Sequence, residues 1–393
     1  MHSRLTRREL LRRGAATGVA LAGGSLLAAC ASLDAGGRPA PASEAGAAPQ
    51  GGGDFAGETI TLLVYSGLTE QLYREHFVPQ FSRRTGAEVT VDAAWTEGIA
   101  RLQQAPAEAP PFDLVLTDPT QGFPAIEAGL FQSFDTGKVP NAERFAPQLL
   151  DTEVWRDGNG LPFHSSAMTL GTNTELRDRP YDTWAELLDD RPDQGVMLYN
   201  LPYMSLYTFA AMKAERENAV GQAAQMMRDD LDGVLAFAVE HRDVATYFWP
   251  STTDGVNALV RGEVAAGNIH GNGLLAPIRD GEPVAGVIPP GDIAYAQLFF
   301  AVPSGVRNLD LSLAAMDHIA SEEFQAALAS SGEYAAAIPS VAEEQAASDE
   351  VWDEAFPSSE SDFAALSYYP YDVIVGEADR IAEVWDADVL RGA

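Results

Sequence analysis

The chain has 393 residues, 46% of them apolar and 9% aromatic, and its formal net charge is −32. This length is sufficient for two domains that each bury a core of their own. So acidic a surface excludes nucleic acid and anionic lipid headgroups as partners, because both carry the same sign of charge. Cys30 is the only cysteine, which excludes a disulfide within the chain.

The first thirty residues have the pattern of an export signal. A basic head that includes Arg7 and Arg8 precedes an apolar run of small residues from Gly14 to Ala29, and Cys30 follows at once. The run is too short and too rich in Gly and Ala for a membrane-spanning helix. The segment resembles a bacterial lipoprotein signal, and Thr-Arg-Arg-Glu-Leu-Leu at 6–11 resembles the twin-arginine export motif, with the general export pathway as the alternative.

We therefore expect residues 1–29 to be removed and Cys30 to carry lipid, which leaves no thiol for catalysis or metal binding. Residues 31–56 consist mostly of Ala, Gly, Pro and Ser and predict a flexible tether. A tether of this length and composition has an r.m.s. span of roughly 25–30 Å. Residues 30–56 together form the predicted lipid anchor and linker.

From residue 57 onwards, short β-rich runs alternate with amphipathic helical stretches. Alternation at this spacing indicates an α/β fold with a mainly parallel sheet and helices on both faces. In such sheets ligands bind at the carboxyl ends of the strands. The first half predicts strands at 59–65, 87–93 and 112–117 and helices at 70–84, 96–105 and 123–129.

The second half continues the alternation and ends in helices. The predicted strands are 195–199, 264–269 and 299–303, and the predicted helices are 184–188, 205–218, 220–241, 310–319, 322–330 and 372–387.

An ordered set of short motifs carries a family resemblance over roughly residues 58–345. The motifs are Tyr-Ser-Gly at 65–67, Phe-x-x-x-Thr-Gly at 81–86, Phe-Asp-Leu-Val at 112–115, Glu-Ala-Gly-Leu-Phe at 127–131, Gly-Leu-Pro-Phe at 160–163, Gly-Thr-Asn at 171–173, Thr-Trp-Ala-Glu-Leu-Leu at 183–188, Gly-Glu-Val at 262–264, Val-Pro-Ser-Gly-Val-Arg-Asn at 302–308 and Ser-Glu-Glu-Phe-Gln at 321–325. The set resembles the extracellular (periplasmic) solute-binding proteins of ABC importers, in the branch that contains polyamine, ferric-iron, thiamine and phosphonate binders. No single motif is specific for these proteins, but the order of the whole set is.

The resemblance implies a two-lobed periplasmic-binding-protein fold of type II, in which crossing hinge strands join two α/β lobes that close on a solute. Lobe 1 is expected to be discontinuous, with residues 57–165 and 295–393, and lobe 2 to comprise residues 166–294. The implied function is a lipid-anchored receptor on the periplasmic or extracytoplasmic face of the cell membrane. We expect a monomer that delivers a small polar solute to an ABC permease, without a cofactor, a metal or nucleic acid.

The family draws its ligand contacts from strand ends and helix starts. Mapped onto this sequence, the resemblance implies a site made of Tyr65, Ser66, Thr117, Asp118, Ser165, Ser166, Tyr203, Ser205, Trp249, Asp254, His270, Asn272 and Tyr295. Each also has a purely structural interpretation. Asp118 and Asp254 could cap helices, and Tyr203, Trp249 and His270 could pack in a core.

The residues leave three solute classes open. A polyamine needs carboxylates and aromatic faces, but only Asp118 and Asp254 are acids near the predicted site, whereas the family's polyamine binders carry two at the start of the lobe-2 helix. Ferric iron needs phenolates, yet the only adjacent pair, Tyr368-Tyr369, lies near the C-terminus, where packing is the simpler interpretation. A phosphonate would need backbone N–H groups and hydroxyls such as Ser66 and Ser205, against an acidic field.

Two other classes of function compete with the importer. A secreted hydrolase is disfavoured because the sequence has no His-Glu-x-x-His, Gly-x-Ser-x-Gly or Ser-x-x-Lys motif and no P-loop. A solute sensor or scaffold lipoprotein without transport would share every feature described above.

The lipoprotein signal generates the first prediction. Cys30→Ser should release the protein from the membrane or block its processing, because the thiol is the attachment atom for lipid. Membrane fractionation with mass spectrometry of the N-terminal peptide measures this, with Ser32→Ala as the control that keeps the anchor. A Cys30→Ser protein that still sediments with membranes in a lipid-modified form would refute the assignment.

Overall fold

The computed structural model describes residues 54–94, 97–289, 291 and 293–390, without the side chains of 164–166 and 293–297. The export signal and Cys30 lie outside these residues. The strands are β1 (Thr59–Val64), β2 (Glu88–Ala93), β3 (Leu114–Thr117), β4 (Phe131–Gln132), β5 (Leu161–Asn173), β6 (Val196–Tyr199), β7 (Ala245–Trp249), β8 (Ala266–His270), β9 (Val284–Val287), β10 (Ile293–Pro303) and β11 (Leu366–Tyr368).

The helices cover both faces of the sheets. They are α1 (Leu68–Leu72), α2 (Val78–Thr85), α3 (Glu97–Gln104), α4 (Pro119–Glu127), α5 (Pro147–Leu150), α6 (Glu153–Arg156), α7 (Glu186–Asp189), α8 (Pro202–Arg216), α9 (Ala223–Asp229), α10 (Leu231–Glu240), α11 (Thr252–Val260), α12 (Asn272–Arg279), α13 (Leu309–Ile319), α14 (Glu322–Ser331), α15 (Pro339–Ser348), α16 (Glu360–Ala364), α17 (Tyr371–Gly376) and α18 (Ala378–Val384). The 3-10 helices are Thr136–Lys138, Pro140–Arg144, Arg242–Val244 and Trp352–Glu354, and π-helical turns occupy Tyr73–Phe77 and Trp385–Leu390.

The strands follow the order β2-β1-β3-β10-β5-β8-β6-β7. Parallel pairs β1–β2 and β1–β3 form the sheet of lobe 1, and parallel pairs β6–β7 and β6–β8 form that of lobe 2. Strand β5 belongs to both sheets, because Leu161 to Ala167 pair with β10 whereas Met168 to Asn173 pair with β8 and β9. The predicted fold of two α/β lobes joined by crossing strands is confirmed.

Alternate residues of the lobe 1 strands enter two different cores. Leu62 and Leu116 belong to a large cluster beneath α2, α13 and α14, whereas Leu63 and Val115 belong to a smaller cluster on the opposite face. This period of two is the pattern of a sheet covered on both sides.

Lobe 2 has a core of its own around β6 and α8. Side chains of the C-terminal segment, including Tyr371 and Trp385, belong to this second core, although the sequence analysis assigns 295–393 to lobe 1. The lobe boundary therefore stays a prediction, with the last two helices contacting the lobe-2 core. Among the described residues, no helix combines the length and the apolar character needed to cross a membrane.

Two predicted helices are interrupted. The helix predicted at 220–241 is wrong as a single element, because Asp230 leaves the helical conformation and its carboxylate accepts a hydrogen bond from the backbone N–H of Gly233 at 2.9 Å. Asp230 thereby caps α10 and separates it from α9. The helix predicted at 372–387 is likewise divided into α17, α18 and the π-helical turn.

A buried histidine generates the second prediction. His318 in α13 is 1% exposed, its ring lies 5.4 Å from that of Phe77, and neither of its nitrogens has a hydrogen-bond partner among the described residues. Burial lowers the pKa of His318 to about 4, and the Arg84 charge acts in the same direction. The unfolded chain therefore takes up this proton near pH 6.5 while the folded chain resists it to about pH 4.

We expect the free energy of unfolding to fall as the pH drops from about 6.5 to 4, with a contribution from His318 on the order of 2–3 kcal/mol. Urea denaturation across this range measures the slope, which His318→Phe should flatten and the exposed-site control His76→Gln should not. Equal slopes for wild type and His318→Phe would show that His318 does not drive the acid sensitivity.

Candidate functional site

The carboxyl ends of parallel strands from both lobes converge on one cleft. Tyr65 follows β1 and Asp118 follows β3 in lobe 1, whereas β6, β7 and β8 end at Tyr199, Trp249 and His270 in lobe 2. The Asp118 charge raises the pKa of Tyr203 at the start of α8, so these groups of the two lobes lie within electrostatic range of each other. The predicted location of the site, at strand ends between the lobes, therefore has a geometric basis.

Asp118 supplies a carboxylate to this cleft and begins a helix. It caps α4, where Pro119 occupies the first helical position, and its Oδ1 accepts hydrogen bonds from the backbone N–H of Thr120 at 2.8 Å and from the Thr120 hydroxyl. Burial raises the pKa of Asp118, while these hydrogen bonds lower it. No ion pair formed by the described residues includes Asp118, so no cationic side chain there compensates its carboxyl group.

Tyr65 and Tyr203 lie within electrostatic range of this carboxyl group, and together with the neighbouring Tyr369 and Tyr371 we call them the phenol cluster. The Tyr203 ring lies 5.4 Å from that of Tyr369 and 6.2 Å from that of Tyr371. Burial raises the pKa of Tyr65 and of Tyr203, and nearby Asp118 and Tyr371 raise both further. Burial likewise raises the pKa of Tyr369, so Tyr65, Tyr203 and Tyr369 are neutral at physiological pH.

Two stacked aromatic rings lie at the strand ends of lobe 2. The rings of Tyr199 and Trp249, which we call the aromatic stack, lie 3.9 Å apart with an interplanar angle of 5°. The His270 ring packs edge-on against both, at 5.4 Å and 5.6 Å. Burial lowers the pKa of His270 to about 4, so its imidazole is neutral at physiological pH.

Three of the other predicted site residues form side-chain hydrogen bonds within the protein. Ser205 is buried and its hydroxyl donates to the Tyr199 carbonyl at 2.7 Å, and the buried Thr117 hydroxyl donates to the Asp118 carbonyl at 3.2 Å. The Asn272 side-chain amide donates to Glu333 Oε2 at 3.3 Å, which joins the start of α12 to the loop after α14. Ser66 is half-buried directly after Tyr65.

Asp254 is not brought to the phenol cluster. It is exposed at the start of α11, where the Ser251 hydroxyl donates to its carboxylate at 2.5 Å and its N–H donates back to Ser251 at 3.2 Å. This reciprocal bonding caps the helix. The side chains of Ser165, Ser166 and Tyr295 lie outside the description, although the Tyr295 backbone pairs with Ala167 on the crossing strands.

The predicted site left out Tyr369, which the sequence analysis considered in the Tyr368-Tyr369 pair and assigned to packing, and it missed Tyr371 and Glu333. Tyr369 and Tyr371 come from the C-terminal segment, where Tyr-Tyr-Pro-Tyr at 368–371 was the available signal. Glu333 is half-buried beside Tyr334, and burial raises the pKa of its carboxyl. Nothing in the local sequence distinguishes Glu333 from other surface acids.

A second concavity lies elsewhere on lobe 2. It has a volume of about 260 Å³ and is lined by residues of α8, α9 and α10, among them Lys213, Met226 and Val234. It contains none of the strand-end groups described above. The candidate site is therefore assigned on the chemistry of the cleft and not on cavity size.

Comparison with known proteins gives the family. The model of the bacterial extracellular solute-binding proteins matches residues 77–357, most of the chain. The chain belongs to this family. Its members are extracellular solute-binding proteins, so the chain is of the exported, solute-binding type that the resemblance implies.

Solved structures show the same fold at low sequence identity. An extracellular solute-binding protein from Bordetella parapertussis superposes with a TM-score of 0.69 at 16% identity, covering 85% of this chain and 99% of the other. The spermidine/putrescine substrate-binding protein PotD from Streptococcus pneumoniae gives 0.63 at 15% identity, covering 84% and 97%. The "Atu4243-GABA receptor" gives 0.68 at 16%, covering 85% and 98%. A sequence search of the curated proteins returns no match.

The aromatic stack generates the third prediction. Trp249 is fully buried and its indole N–H donates to the Asn268 carbonyl at 2.8 Å, so Trp249→Ala should leave a cavity and lower the free energy of unfolding by about 3–5 kcal/mol. Urea denaturation measures this, with Trp155→Ala as the control because Trp155 is half-buried in lobe 1. Equal losses for the two variants would contradict a core role for Trp249.

Proposed function

We propose that the chain is a lipid-anchored receptor that binds a small solute bearing an amine and delivers it to an ABC permease. The observation that carries the proposal is Asp118, a desolvated carboxyl group that lies within electrostatic range of Tyr65 and Tyr203 and forms no ion pair among the described residues. Burial of such a charge is costly unless a partner compensates it. An ammonium group of the solute would be that partner.

The phenol cluster suits the same chemistry. Tyrosine rings attract a cation over their faces and can accept hydrogen bonds from an ammonium through their hydroxyl oxygens. The rings of Tyr369 and Tyr371 lie 6.0 Å apart, and Tyr203 packs against both, so several faces are available within one small volume. The cationic end of the solute therefore belongs beside Asp118.

The aromatic stack suits the apolar remainder of the solute. The half-buried Tyr199 ring, which stacks on the fully buried Trp249, would offer a flat wall, and His270 beside it is uncharged because burial lowers its pKa to about 4. A neutral wall does not repel the ammonium and can cover methylene groups. Two structural neighbours named for GABA and for spermidine/putrescine have amines as their solutes, which is consistent with this class.

Capture and delivery would follow from the shared strands. β5 and β10 join the lobes, so small rotations about them would open the cleft or close it over a solute. The closed form would then dock on the permease, while the tether at 31–56 would let the receptor move above its lipid anchor.

Ferric iron is the second candidate, favoured by the phenol cluster. Phenolates with a carboxylate are hard oxygen donors of the kind that a hard cation prefers. Among the described residues no group of three or more His, Cys, Asp or Glu could hold a metal, so the tyrosines would have to supply the ligands. A phosphonate is disfavoured because it would place an anion beside the Asp118 carboxyl group. Among the described residues no Lys or Arg ion-pairs with Asp118 to offset the repulsion. A sensor without transport, or a hydrolase, remains as an outcome of the experiment.

The fourth prediction tests the amine. Isothermal titration with spermidine, putrescine and γ-aminobutyrate should give binding by at least one. Asp118→Asn should weaken it by about 2–5 kcal/mol, because the ammonium would lose its charged partner. The matched control is Asp254→Asn, which alters an exposed helix-capping carboxylate and should leave affinity unchanged.

Three results would argue against the proposal. Unchanged affinity in Asp118→Asn would remove this carboxylate from the site. Binding of ferric citrate with a visible phenolate-to-iron absorption band, and none of the amines, would favour the second candidate. Turnover of a bound compound would favour the hydrolase, and binding without uptake by membrane vesicles carrying the permease would favour the sensor.

A further inference from the structure

A single buried amide lies directly beneath the aromatic stack. Asn268 is in the middle of β8, is completely buried, and belongs to none of the surfaces described above. Its position between β6, β7 and α8 makes it a common neighbour of three elements that border the cleft.

All the hydrogen-bonding capacity of this amide is used. Oδ1 accepts from the Tyr199 backbone N–H at 2.8 Å and from the Trp249 indole N–H at 3.2 Å. Nδ2 donates to the Ser205 hydroxyl at 3.2 Å and to the Thr208 hydroxyl at 2.9 Å. A side-chain amide has two donors and one oxygen that accepts twice, so the network is complete.

The network fixes both members of the stack. Trp249 is held by Oδ1 and by the Asn268 backbone carbonyl, which accepts from the same indole at 2.8 Å. Tyr199 is held at its N–H by Asn268 and at its carbonyl by Ser205. Since Ser205 and Thr208 lie in α8, the same amide also orients the helix whose first turn carries Tyr203.

The backbone next to the amide leaves little room for adjustment. Gly267 has φ of +157°, and a Cβ added there would lie 1.9 Å from the Met197 carbonyl oxygen of β6. The close approach of β8 to β6 therefore fixes where the Asn268 side chain begins. A polar network anchored in this way has one geometry available to it.

We propose that Asn268 is a positioning residue that holds the aromatic stack and the start of α8 in the arrangement that receives the solute. The solute-binding part of this inference rests on the proposed function. Leucine has the same branching as asparagine but no hydrogen-bonding group, so it would leave the Tyr199 N–H unpaired and would remove one acceptor from the Trp249 indole. Asn268→Leu should therefore let the Tyr199 and Trp249 rings move from their stacked positions, even when lobe 2 stays folded.

The experiment labels the full-length chain with 5-fluorotryptophan and records ¹⁹F NMR spectra without solute. The chain has six tryptophans, and loss of one resonance in Trp249→Phe assigns the signal of Trp249. In Asn268→Leu we expect this resonance to shift or broaden while the others stay in place. Spermidine affinity, measured by titration, should fall about tenfold or more.

The chain offers a matched control in Asn173 at the end of β5. This amide is also buried in lobe 2, and its Nδ2 donates to the Leu259 carbonyl at 2.6 Å while Oδ1 accepts from the Glu175 and Leu176 N–H groups. Asn173→Leu should reduce stability comparably without moving the Trp249 resonance or the affinity. An unmoved Trp249 resonance in Asn268→Leu, or the same movement in both variants, would overturn the proposal.

A milder variant keeps the test decisive where Asn268→Leu does not fold. Thr208→Val removes one hydroxyl partner of the amide and should move the Trp249 resonance in the same direction by a smaller amount, and no movement would overturn the proposal. The NMR arm needs no solute. A wild-type chain that binds none of spermidine, putrescine and γ-aminobutyrate therefore counts against the proposed function, while the resonance still decides the role of Asn268.

Discussion

The antiparallel pairing of β5 with β10 is the interaction on which the architecture depends. β5 leaves the sheet of lobe 1 at Ala167 and continues into lobe 2, where it pairs with β8 and β9. Because one strand serves both sheets, the lobes share a backbone connection whose hydrogen bonds survive small rotations. The register of the pair shifts between Tyr295 and Gln297, so the irregular part of the ladder lies where the chain passes between the lobes. Irregular pairing of this kind is where a strand bends most readily.

The same connection determines where the chemistry lies. The parallel strands of each lobe end at residues that border the cleft, so Tyr65, Asp118, Tyr199 and His270 come together from distant parts of the sequence. The C-terminal segment adds Tyr369 and Tyr371, and the Tyr371 ring contacts Phe123 of α4 at 6.0 Å while its neighbours pack on lobe 2. The cleft is therefore bordered by both lobes and by the end of the chain.

The fold could be predicted from the sequence because the apolar runs that form its strands are local features. The runs at 59–65, 112–117 and 195–199 became β1, β3 and β6 within two residues at each end. β5 was not predicted as an element, because its centre is polar His-Ser-Ser and its halves lie in different sheets, so no single periodicity runs through it. The break at Asp230 was missed because apolar residues continue on both sides of a capping acid.

The site was harder to predict than the fold. The rule that ligands bind at the carboxyl ends of parallel strands brought Asp118 into the set, whereas Tyr203 came from the family resemblance at the start of the lobe-2 helix. It could not separate Asp118 from Asp254, since both begin helices and only the tertiary structure leaves one exposed and buries the other. Asn268 carries no local signal in the sequence. Its importance depends on four hydrogen-bond partners that are distant in sequence and come together only in the folded chain.

Long-range charge and local chemistry have different roles in such a receptor. A net charge of −32 attracts any cation, but salt screens this field within about 8–10 Å, so it cannot distinguish one amine from another. Discrimination has to come from groups that are shielded from water, such as the helix-capping Asp118 carboxyl group near the neutral phenols of Tyr65 and Tyr203. The rigidity of the aromatic stack then matters as much as its chemistry. A wall held by a saturated hydrogen-bond network loses little freedom when a solute packs against it, so more of the contact energy remains as affinity.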